Sequence, residues 1–250
     1  VNYTHKVHTD KTNFLSIAER MLKKKEASTS YNNVVNYTNQ LKHLAPLFDF
    51  NIEDITIIHL QNLFNLLHSK LYGYWTLQKT KTVLSLIYKE AMYSGCSVAN
   101  PVELIKIPRT SKEVVHSPDD KIISLVKDNA NSDFGMWAML LLCTGMRRGE
   151  LAAIQKKDFD FASKTISITK SVEYTPNQPR IKVPKTQNSI RTVPIIGMLY
   201  PLLQSYVKGM HKSDYLFGGE NPYTLTMLRK RWARYIKTLG VEITQHQLRH

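Results

Sequence analysis

A polar segment without hydrophobic periodicity, residues 106–118, divides the sequence into two patterned parts and limits the fold more than any other feature. Prolines lie near both of its ends, and the residues between them are mostly polar. Segments of this kind connect domains, because few tertiary contacts cross them. We therefore predict two domains, residues 1–107 and residues 118–250, joined by a linker at residues 108–117.

The first domain is predicted to be a helical bundle. Its apolar residues recur at intervals of three and four, which places them on one face of a helix. Leu60, Leu63, Phe64 and Leu67 form one such face. The pattern predicts four helices, at residues 13–25, 28–48, 58–67 and 76–94. Gly95 follows the fourth, at the position where helices often end on glycine. Several helices with apolar stripes are typical of a bundle.

The second domain is predicted to combine helices with a few strands. Helical patterns cover residues 118–129, 133–143, 148–154, 197–208 and 224–239, and a last helix begins at residue 244. Alternating polar and apolar residues predict strands at residues 164–171, 180–183 and 191–195. The last two strands bracket a turn at residues 185–189 and are expected to form a hairpin. The predicted fold class is therefore mainly α with a small antiparallel β-sheet (α+β).

The formal net charge of +14 indicates a polyanionic partner, and nucleic acid is the commonest one. Residues 1–108 carry a net charge of +4 and residues 109–250 a net charge of +10. Residues 164–191 and residues 223–250 each contain six basic residues and one acid. A single lysine is more often a solubilising charge, but two dense clusters favour a DNA-binding surface. The candidate DNA-binding residues are Lys182, Arg191, Arg229, Lys230, Arg231 and Arg234.

The sequence contains two cysteines, Cys96 and Cys143, so no disulfide framework is indicated and a reducing, cytoplasmic location is expected. No Cys/His spacing is typical of a zinc site, and no cluster of Asp and Glu is typical of a magnesium site. The longest apolar run, at residues 136–143, is too short to cross a membrane. We therefore expect no metal, no cofactor and no membrane partner.

The segment from Thr144 to Leu151 contains the first candidate for chemistry. A buried helix is predicted to end at the Thr144–Gly145 turn, and Arg147 follows at once. A guanidinium fixed at the end of a rigid apolar element can present two N–H groups to one phosphate. The alternative is an arginine at a helix junction that pairs with Glu150. This segment alone does not decide between the two.

Two later segments carry further candidates. Lys185 lies at the turn of the predicted hairpin, where a mobile ammonium can donate a proton to a leaving oxygen, although an ordinary surface turn would look the same. His246 and Arg249 are three residues apart, so on a helix they share one face. An imidazole and a guanidinium on one face can bind a phosphate. The alternative is a helix that simply begins with cations.

The order of these motifs is more specific than any of them alone. The sequence carries T-G-x-R-x-x-E from Thr144, then P-K-T before an R-T-V-P strand, then H-x-L-R-H from His246. This combination resembles the tyrosine recombinases, also called the phage integrase family. The first domain, up to Asn100-Pro101, is similar to the family's helical core-binding (SAM-like) domain. The resemblance covers nearly the whole chain and implies that residues 118–250 are a catalytic domain, incomplete at its C-terminus.

The resemblance also implies a role for each matching residue. Those matching the first catalytic arginine, the hairpin lysine, the catalytic histidine and the second arginine are Arg147, Lys185, His246 and Arg249. Glu150 matches an acid that supports the arginine segment, and His250 matches the residue that usually follows the second arginine. Phosphoryl transfer depends mainly on positioning and charge stabilisation, so two fixed arginines without a metal suit these roles.

The nucleophile of the family is a tyrosine that follows the second arginine and forms a 3′-phosphotyrosine with DNA. All 13 tyrosines of this sequence precede Arg249. None therefore qualifies, and Tyr215, Tyr223 and Tyr235 are better interpreted as core or DNA-facing residues. We expect the sequence to be a fragment that binds double-stranded DNA at recombination sites but does not cleave it.

The resemblance implies an assembly as well. Members of the family act as tetramers on two DNA sites, usually by passing a C-terminal segment to a neighbour. We expect the full-length parent to form a homotetramer on DNA, and the fragment to be monomeric. Two domains on a linker are expected to enclose duplex DNA, with most contacts to phosphates.

Three functions agree with the charge of the chain. A site-specific recombinase or integrase of a phage or mobile element explains the full set of Arg147, Lys185, His246 and Arg249. A catalytically inactive DNA-binding regulator, or a decayed recombinase, has no need of that set. A type IB topoisomerase shares the chemistry, but the first domain and the segment around Lys185 are more similar to recombinases. We therefore favour the recombinase.

Overall fold

The computed structural model describes residues 11–108, 117–183 and 190–249. The chain divides into two compact units, Val1–Glu113 and Val114–His250. Each unit has its own hydrophobic core, as expected of an independent domain. The division lies within residues 108–117. Most of that segment is outside the described residues, so its role as a linker stays a prediction.

The first unit is built from helices. Its α-helices are α1 (Phe14–Ser28), α2 (Tyr31–Leu41), α3 (Ile57–Ser69) and α4 (Tyr74–Tyr93), and short 3-10 helices lie at Lys42–Leu47, Ile52–Asp54 and Pro101–Leu104. The side chain of Asn13 accepts a hydrogen bond from the backbone N–H of Ser16, and that of Thr56 accepts one from His59. These caps satisfy backbone donors that the first turn of a helix leaves unpaired.

The helical pattern of the first unit is largely as predicted. The predicted inward face of α3, from Leu60 to Leu67, is buried, and Gly95 follows α4 with a φ of +85°. The helix predicted at residues 28–48 is shorter, because α2 gives way to a 3-10 helix that contains Pro46. A proline has no N–H to donate, and in a continued α-helix its ring would clash with the carbonyl of Lys42.

The second unit combines helices with antiparallel strands. Its helices are α5 (Asp120–Asp128), α6 (Gly135–Thr144), α7 (Arg148–Ala153), α8 (Leu199–Tyr206) and α9 (Leu225–Leu239). Its strands are β1 (Phe159–Asp160), β2 (Thr165–Ile168), β3 (Ser171–Thr175), β4 (Gln178–Lys182) and β5 (Arg191–Pro194). The predicted fold class, mainly α with antiparallel β-structure, is confirmed.

The strands form two small sheets, and this corrects the predicted pairing. β2 lies between β1 and β5 in one sheet, while β3 pairs with β4 in the other. The hairpin predicted from residues 180–183 and 191–195 is therefore wrong, because β4 and β5 belong to different sheets. β4 instead pairs with β3, and Thr175 faces Gln178 across a two-residue turn. Alternation in a sequence defines the two faces of a strand but not its partner.

The core of the second unit surrounds α6. Every residue of this helix from Gly135 to Leu141 is buried. The fully buried Trp137 stacks on Phe134 at a ring-centroid distance of 4.9 Å and meets Phe217 edge-on at 4.8 Å. A helix packed on all sides holds the chain that leaves it in a fixed place. Within the three described ranges, no helix is both long and apolar enough to span a membrane.

Candidate active site

Arg147 lies at the junction of two buried helices. α6 ends at Thr144 and is capped by Gly145, whose φ of +60° is the left-handed conformation that glycine adopts without steric cost. Met146 is fully buried and anchors the turn, and Arg147 then has extended backbone directly before α7. The backbone of Arg147 is thus held by the core, while 59% of its side chain is exposed.

Glu150 binds Arg147 through both carboxylate oxygens. One oxygen accepts from the backbone N–H of Arg147 at 2.8 Å, and the other accepts from its Nη1 at 2.9 Å. Burial raises the pKa of Glu150, but the hydrogen bonds from Arg191 and Arg147 outweigh this effect and lower the pKa to about 2. The carboxylate is therefore ionised at neutral pH and orients the guanidinium of Arg147.

A second arginine reaches Glu150 from β5. Nη1 and Nη2 of Arg191 donate to the two carboxylate oxygens at 3.1 and 2.8 Å, which is a bidentate contact. The hydrogen bond with Glu150 raises the pKa of Arg191. Glu150 therefore lies between two guanidinium groups. The sequence predicted Arg191 as a DNA-binding residue. Its partner in the structure is Glu150, and its contact with DNA stays a prediction.

His246 and Arg249 lie at a short 3-10 turn, not on the α-helix expected from residue 244. Gln247 and Arg249 bound the 3-10 helix, and the N–H of Arg249 donates to the carbonyl of His246 at 3.2 Å. Gln247 Oε1 accepts from the backbone N–H of Thr244 at 2.9 Å, and Thr244 Oγ1 accepts from that of Gln247 at 3.2 Å. These reciprocal bonds cap the turn. In a 3-10 turn, residues three apart lie above one another. The turn therefore favours the same side for His246 and Arg249, as the predicted α-helix did.

The core anchors this turn at two points. Leu248 is buried, and Gln245 Oε1 accepts a hydrogen bond from the indole N–H of Trp137 at 3.2 Å. The carbonyl oxygen of Arg249 also approaches the end of α6, since a Cβ added to Gly145 would lie 4.0 Å from it. The last described segment therefore packs beside the turn that carries Arg147.

Three of the predicted site residues come together in one cleft. Arg147, His246 and Arg249 line a cavity of about 360 Å³, together with Met146, Arg148, Gly149 and Gln245. The two arginines belong to segments far apart in sequence, so the fold brings them together. Lys185 and His250 lie outside the described residues, and their roles stay predictions.

The sequence analysis missed four residues of the cleft: the buried Met146, and Arg148, Gly149 and Gln245. Arg148 adds a further cation to the cleft. Its position next to Arg147 in the sequence could have identified it. Gln245 is uncharged and gave no signal. A Cβ on Gly149 would lie 2.6 Å from Ser171 Oγ and 2.8 Å from the carbonyl oxygen of Val172, so this glycine lets β3 approach α7. A glycine inside a helix is unfavourable, and that cost was the available signal.

The other predicted cations do not line this cleft. Lys182 forms an ion pair of 3.1 Å with Glu173 on the neighbouring strand. On α9, Arg231 and Arg234 both bind Asp133, at 2.5 and 3.3 Å, and Arg231 also lies 4.9 Å from the ring centre of Tyr223. Arg229 and Lys230 are exposed on the same helix. The four predicted cations on α9 form a basic surface that Asp133 partly neutralises through Arg231 and Arg234.

No tyrosine in the described part of the chain lines the cleft. Tyr235 is a core residue, and burial raises its pKa to about 12. Tyr223 is partly buried beside Arg231. Among the same described residues, no group of three His, Cys, Asp or Glu side chains is placed to hold a metal ion.

The cleft has the chemistry of an oxyanion site. Guanidinium groups donate hydrogen bonds in a fixed fork that matches a phosphate, and an imidazole can donate or accept a proton. Donors held in place by a rigid core stabilise negative charge without reorganising during a reaction. The fold and the site thus define an α+β domain with a cationic cleft of about 360 Å³ at the end of a buried helix.

Comparison with known families identifies the lineage. The model of the phage integrase family matches residues 116–250, more than half of the chain. The chain therefore belongs to the phage integrase family, the tyrosine recombinases, whose members include integrases of mobile elements.

Two curated relatives show how much of such a protein the chain represents. It is 26% identical over 249 residues to a XerC-like tyrosine recombinase of Caldanaerobacter subterraneus, covering 86% of this chain and 63% of the relative. It is 33% identical over 129 residues to the ICEBs1 integrase of Bacillus subtilis, covering 50% of this chain and 35% of the relative. The chain thus spans less than two thirds of either relative.

Solved structures show the same fold. An integrase of transposon Tn1549 in complex with a circular intermediate DNA aligns with a TM-score of 0.79 and 17% identity, over 96% of this chain and 84% of its own. A lambda integrase tetramer bound to a Holliday junction aligns with a TM-score of 0.73 and 17% identity, over 100% and 76% of the two chains. At such identities the likeness concerns the fold alone.

Proposed function

We propose that this chain binds double-stranded DNA at the recombination sites of a mobile element and provides most of the catalytic residues for strand exchange. The observation that carries this proposal is the meeting of Arg147, His246 and Arg249 in one cleft. The solved integrases with this fold were bound to DNA, which supports the same partner here. The net charge of +14 supports it as well.

The scissile phosphate would lie in the cleft. Arg147 and Arg249 would donate to its non-bridging oxygens and balance the charge that builds up in the transition state. Glu150 fixes Arg147 for this task through contacts at 2.8 and 2.9 Å. His246 and Lys185 would supply the proton that the leaving oxygen needs.

The reaction is proposed to proceed without a metal through a covalent intermediate. A tyrosine hydroxyl attacks the phosphorus and loses its proton, forming a P–O bond to the 3′ side of the break. The bond to the 5′ oxygen breaks, and that oxygen is protonated. The 5′-hydroxyl of the partner strand then attacks the phosphotyrosine, releases the tyrosine and restores a phosphodiester. The bond energy is conserved, so no nucleoside triphosphate is consumed.

The nucleophile is proposed to be a tyrosine outside these 250 residues. All 13 tyrosines precede Arg249 in the sequence, and none of those described lines the cleft. The 250-residue chain alone is therefore expected to bind DNA without cleaving it.

Further contacts with DNA are proposed for both units. In the second unit, Lys182 and the basic face of α9 would bind phosphates, and the helical first unit would act as the core-binding domain. Phosphate contacts give a log–log salt dependence with a slope of about −0.9 for each phosphate neutralised. We further propose that the complete protein forms a homotetramer on DNA, whereas the 250-residue chain is a monomer.

Covalent trapping tests this function. The complete gene product, its Arg147→Ala variant and the 250-residue chain would each be incubated with nicked duplexes that carry the ends of the element. A protein–DNA adduct on a denaturing gel is expected from the complete product alone. Anisotropy with the same duplexes would record binding separately.

Each result has a distinct meaning. An adduct from the 250-residue chain would show that one of its own tyrosines is the nucleophile. Binding by the complete product without any adduct would favour a catalytically inactive DNA-binding regulator or a decayed recombinase. Absence of salt-dependent duplex binding would overturn the proposed function.

A further inference from the structure

Glu150 is shared evenly between two arginines. Its Oε1 accepts from Nη1 of Arg147 at 2.9 Å and from Nη1 of Arg191 at 3.1 Å. Its Oε2 accepts from the backbone N–H of Arg147 and from Nη2 of Arg191, both at 2.8 Å. Each oxygen thus has one donor from each arginine, and all four contacts fix the plane of the carboxylate.

We infer that Arg191 is a positioning residue, which acts on the scissile phosphate through Glu150 and Arg147 and makes no contact with it. This inference rests on the function proposed above. Arg147 has 59% of its side chain exposed, so its orientation depends on Glu150. Glu150 in turn has 7% of its side chain exposed and depends on Arg191 for its bidentate partner.

The need for a second partner follows from burial. A buried carboxylate with an incomplete set of donors is costly, and it relieves that cost by moving or by taking up a proton. Either change would release the guanidinium of Arg147 from its place. Arg191 starts β5 and pairs with Ile168 of β2, so its backbone is part of a sheet. The sheet therefore provides a rigid base from which Arg191 holds Glu150.

A double-mutant cycle in the 250-residue chain separates this role from direct DNA contact. Arg191→Met removes the guanidinium and keeps an unbranched apolar side chain in place of the arginine stem. We expect it to weaken duplex binding about tenfold, the equivalent of losing one charge-assisted hydrogen bond. In a Glu150→Gln background, Arg191→Met is expected to change the affinity less than about twofold, because the carboxylate through which Arg191 acts is already absent.

The matched control is Lys157→Met, which removes one exposed positive charge from the same unit. It corrects for the general loss of charge and is expected to change the affinity equally in both backgrounds. Thermal unfolding of every variant shows whether it is folded. If Arg191→Met does not fold, Arg191→Lys replaces it, because a lysine keeps the charge but cannot form the bidentate contact.

The NMR chemical shift of the Glu150 carboxyl carbon, followed across pH, reports the pKa of Glu150. If Arg191 only packed in the fold, its replacement would leave this pKa unchanged. The charged groups that face Glu150 are Arg147, at the start of its own helix, and Arg191 from β5. Arg148 is its neighbour on α7, and β3, which packs against α7, approaches that helix at Ser171 and Val172. Without Arg191, burial acts against fewer opposing hydrogen bonds, so the pKa of Glu150 should rise in Arg191→Met and stay unchanged in Lys157→Met.

The possible results decide the inference. Coupling between Arg191 and Glu150, with a raised pKa of Glu150, would support it. Equal losses in both backgrounds would mean that Arg191 binds DNA directly, and an unchanged titration of Glu150 would also overturn the inference. If the wild-type chain shows no salt-dependent duplex binding, the proposed function fails, while the carboxyl titration still tests whether Arg191 holds Glu150.

Discussion

The indole N–H of Trp137 donates a hydrogen bond of 3.2 Å to the side-chain oxygen of Gln245. Trp137 is fully buried in α6, whereas Gln245 lines the cleft directly before His246. The bond therefore connects the buried helix α6 to one wall of the cleft. Because α6 also leads into Arg147, a single helix positions both walls.

Trp137→Phe should lower the stability of the second unit and its affinity for duplex DNA, because the variant cannot form this hydrogen bond. The loss of one bond to a partly buried acceptor costs about 1 kcal/mol of the free energy of unfolding, in addition to the change in packing. We expect duplex affinity to fall because the His246 segment loses its anchor. Trp232→Phe is the control, since the indole nitrogen of Trp232 donates to no described residue. Equal losses of affinity in the two variants, at matched stability, would show that the bond does not position the segment.

Glu150 should make the stability of the second unit depend on pH in an acid range. Its folded pKa of about 2 is below the ordinary value of 4.5, so its contribution is fully present above about pH 4.5 and is lost as pH falls towards 2. The loss is up to about 3 kcal/mol. Urea unfolding of wild type and Glu150→Gln across this range measures it. The difference in unfolding free energy should shrink as pH falls, and a constant difference would contradict the low pKa.

Gly149→Ala should destabilise the second unit. The new Cβ would meet Ser171 Oγ at 2.6 Å and the carbonyl oxygen of Val172 at 2.8 Å, and a strand backbone cannot easily move away. Such overpacking costs about 1–3 kcal/mol, and the better helix propensity of alanine offsets part of it. Gly197→Ala is the matched control, because nothing lies within 4 Å of the corresponding Cβ. Thermal unfolding should show a lower Tm for Gly149→Ala alone.

Asp133→Asn should strengthen DNA binding. Asp133 now binds Arg231 and Arg234, and its removal as a charge leaves both guanidinium groups available for phosphates. We expect the salt slope of duplex binding to become steeper by about 0.9 for each new phosphate contact. Asp128→Asn makes the same change in net charge at an exposed residue that forms no ion pair with Arg231 or Arg234. If both variants behave alike, the basic surface of α9 does not contact DNA.

The helices were predictable because their signals are local. Apolar spacing identified the buried face of α3, and Gly95 and Gly240 mark helix ends through their left-handed backbone. The 3-10 helix around Pro46 was the exception within the first unit. Strand pairing was not predictable, because β4 and β5 read as neighbours in the sequence but belong to different sheets.

The residues of the candidate site also divide into those that the sequence predicted and those that only the structure revealed. Motif order singled out Arg147, His246 and Arg249, and the structure places them in one cleft. Motif order did not show that Arg191 binds Glu150, because Arg191 was predicted only as one of six cations that could bind DNA. Gln245 carries no charge and belongs to no motif, so only its contact with Trp137 brings it into the site.

By itself, the sequence determined the mainly helical class, the two hydrophobic units and the basic charge, because each of these follows from residue type and local spacing. The order of its motifs also resembled the family that the comparison then identified. The tertiary structure decided which strands pair, which arginines face the cleft and which one supports a buried carboxylate. These features depend on contacts between residues distant in the chain, and the geometry of such contacts is set when the core packs.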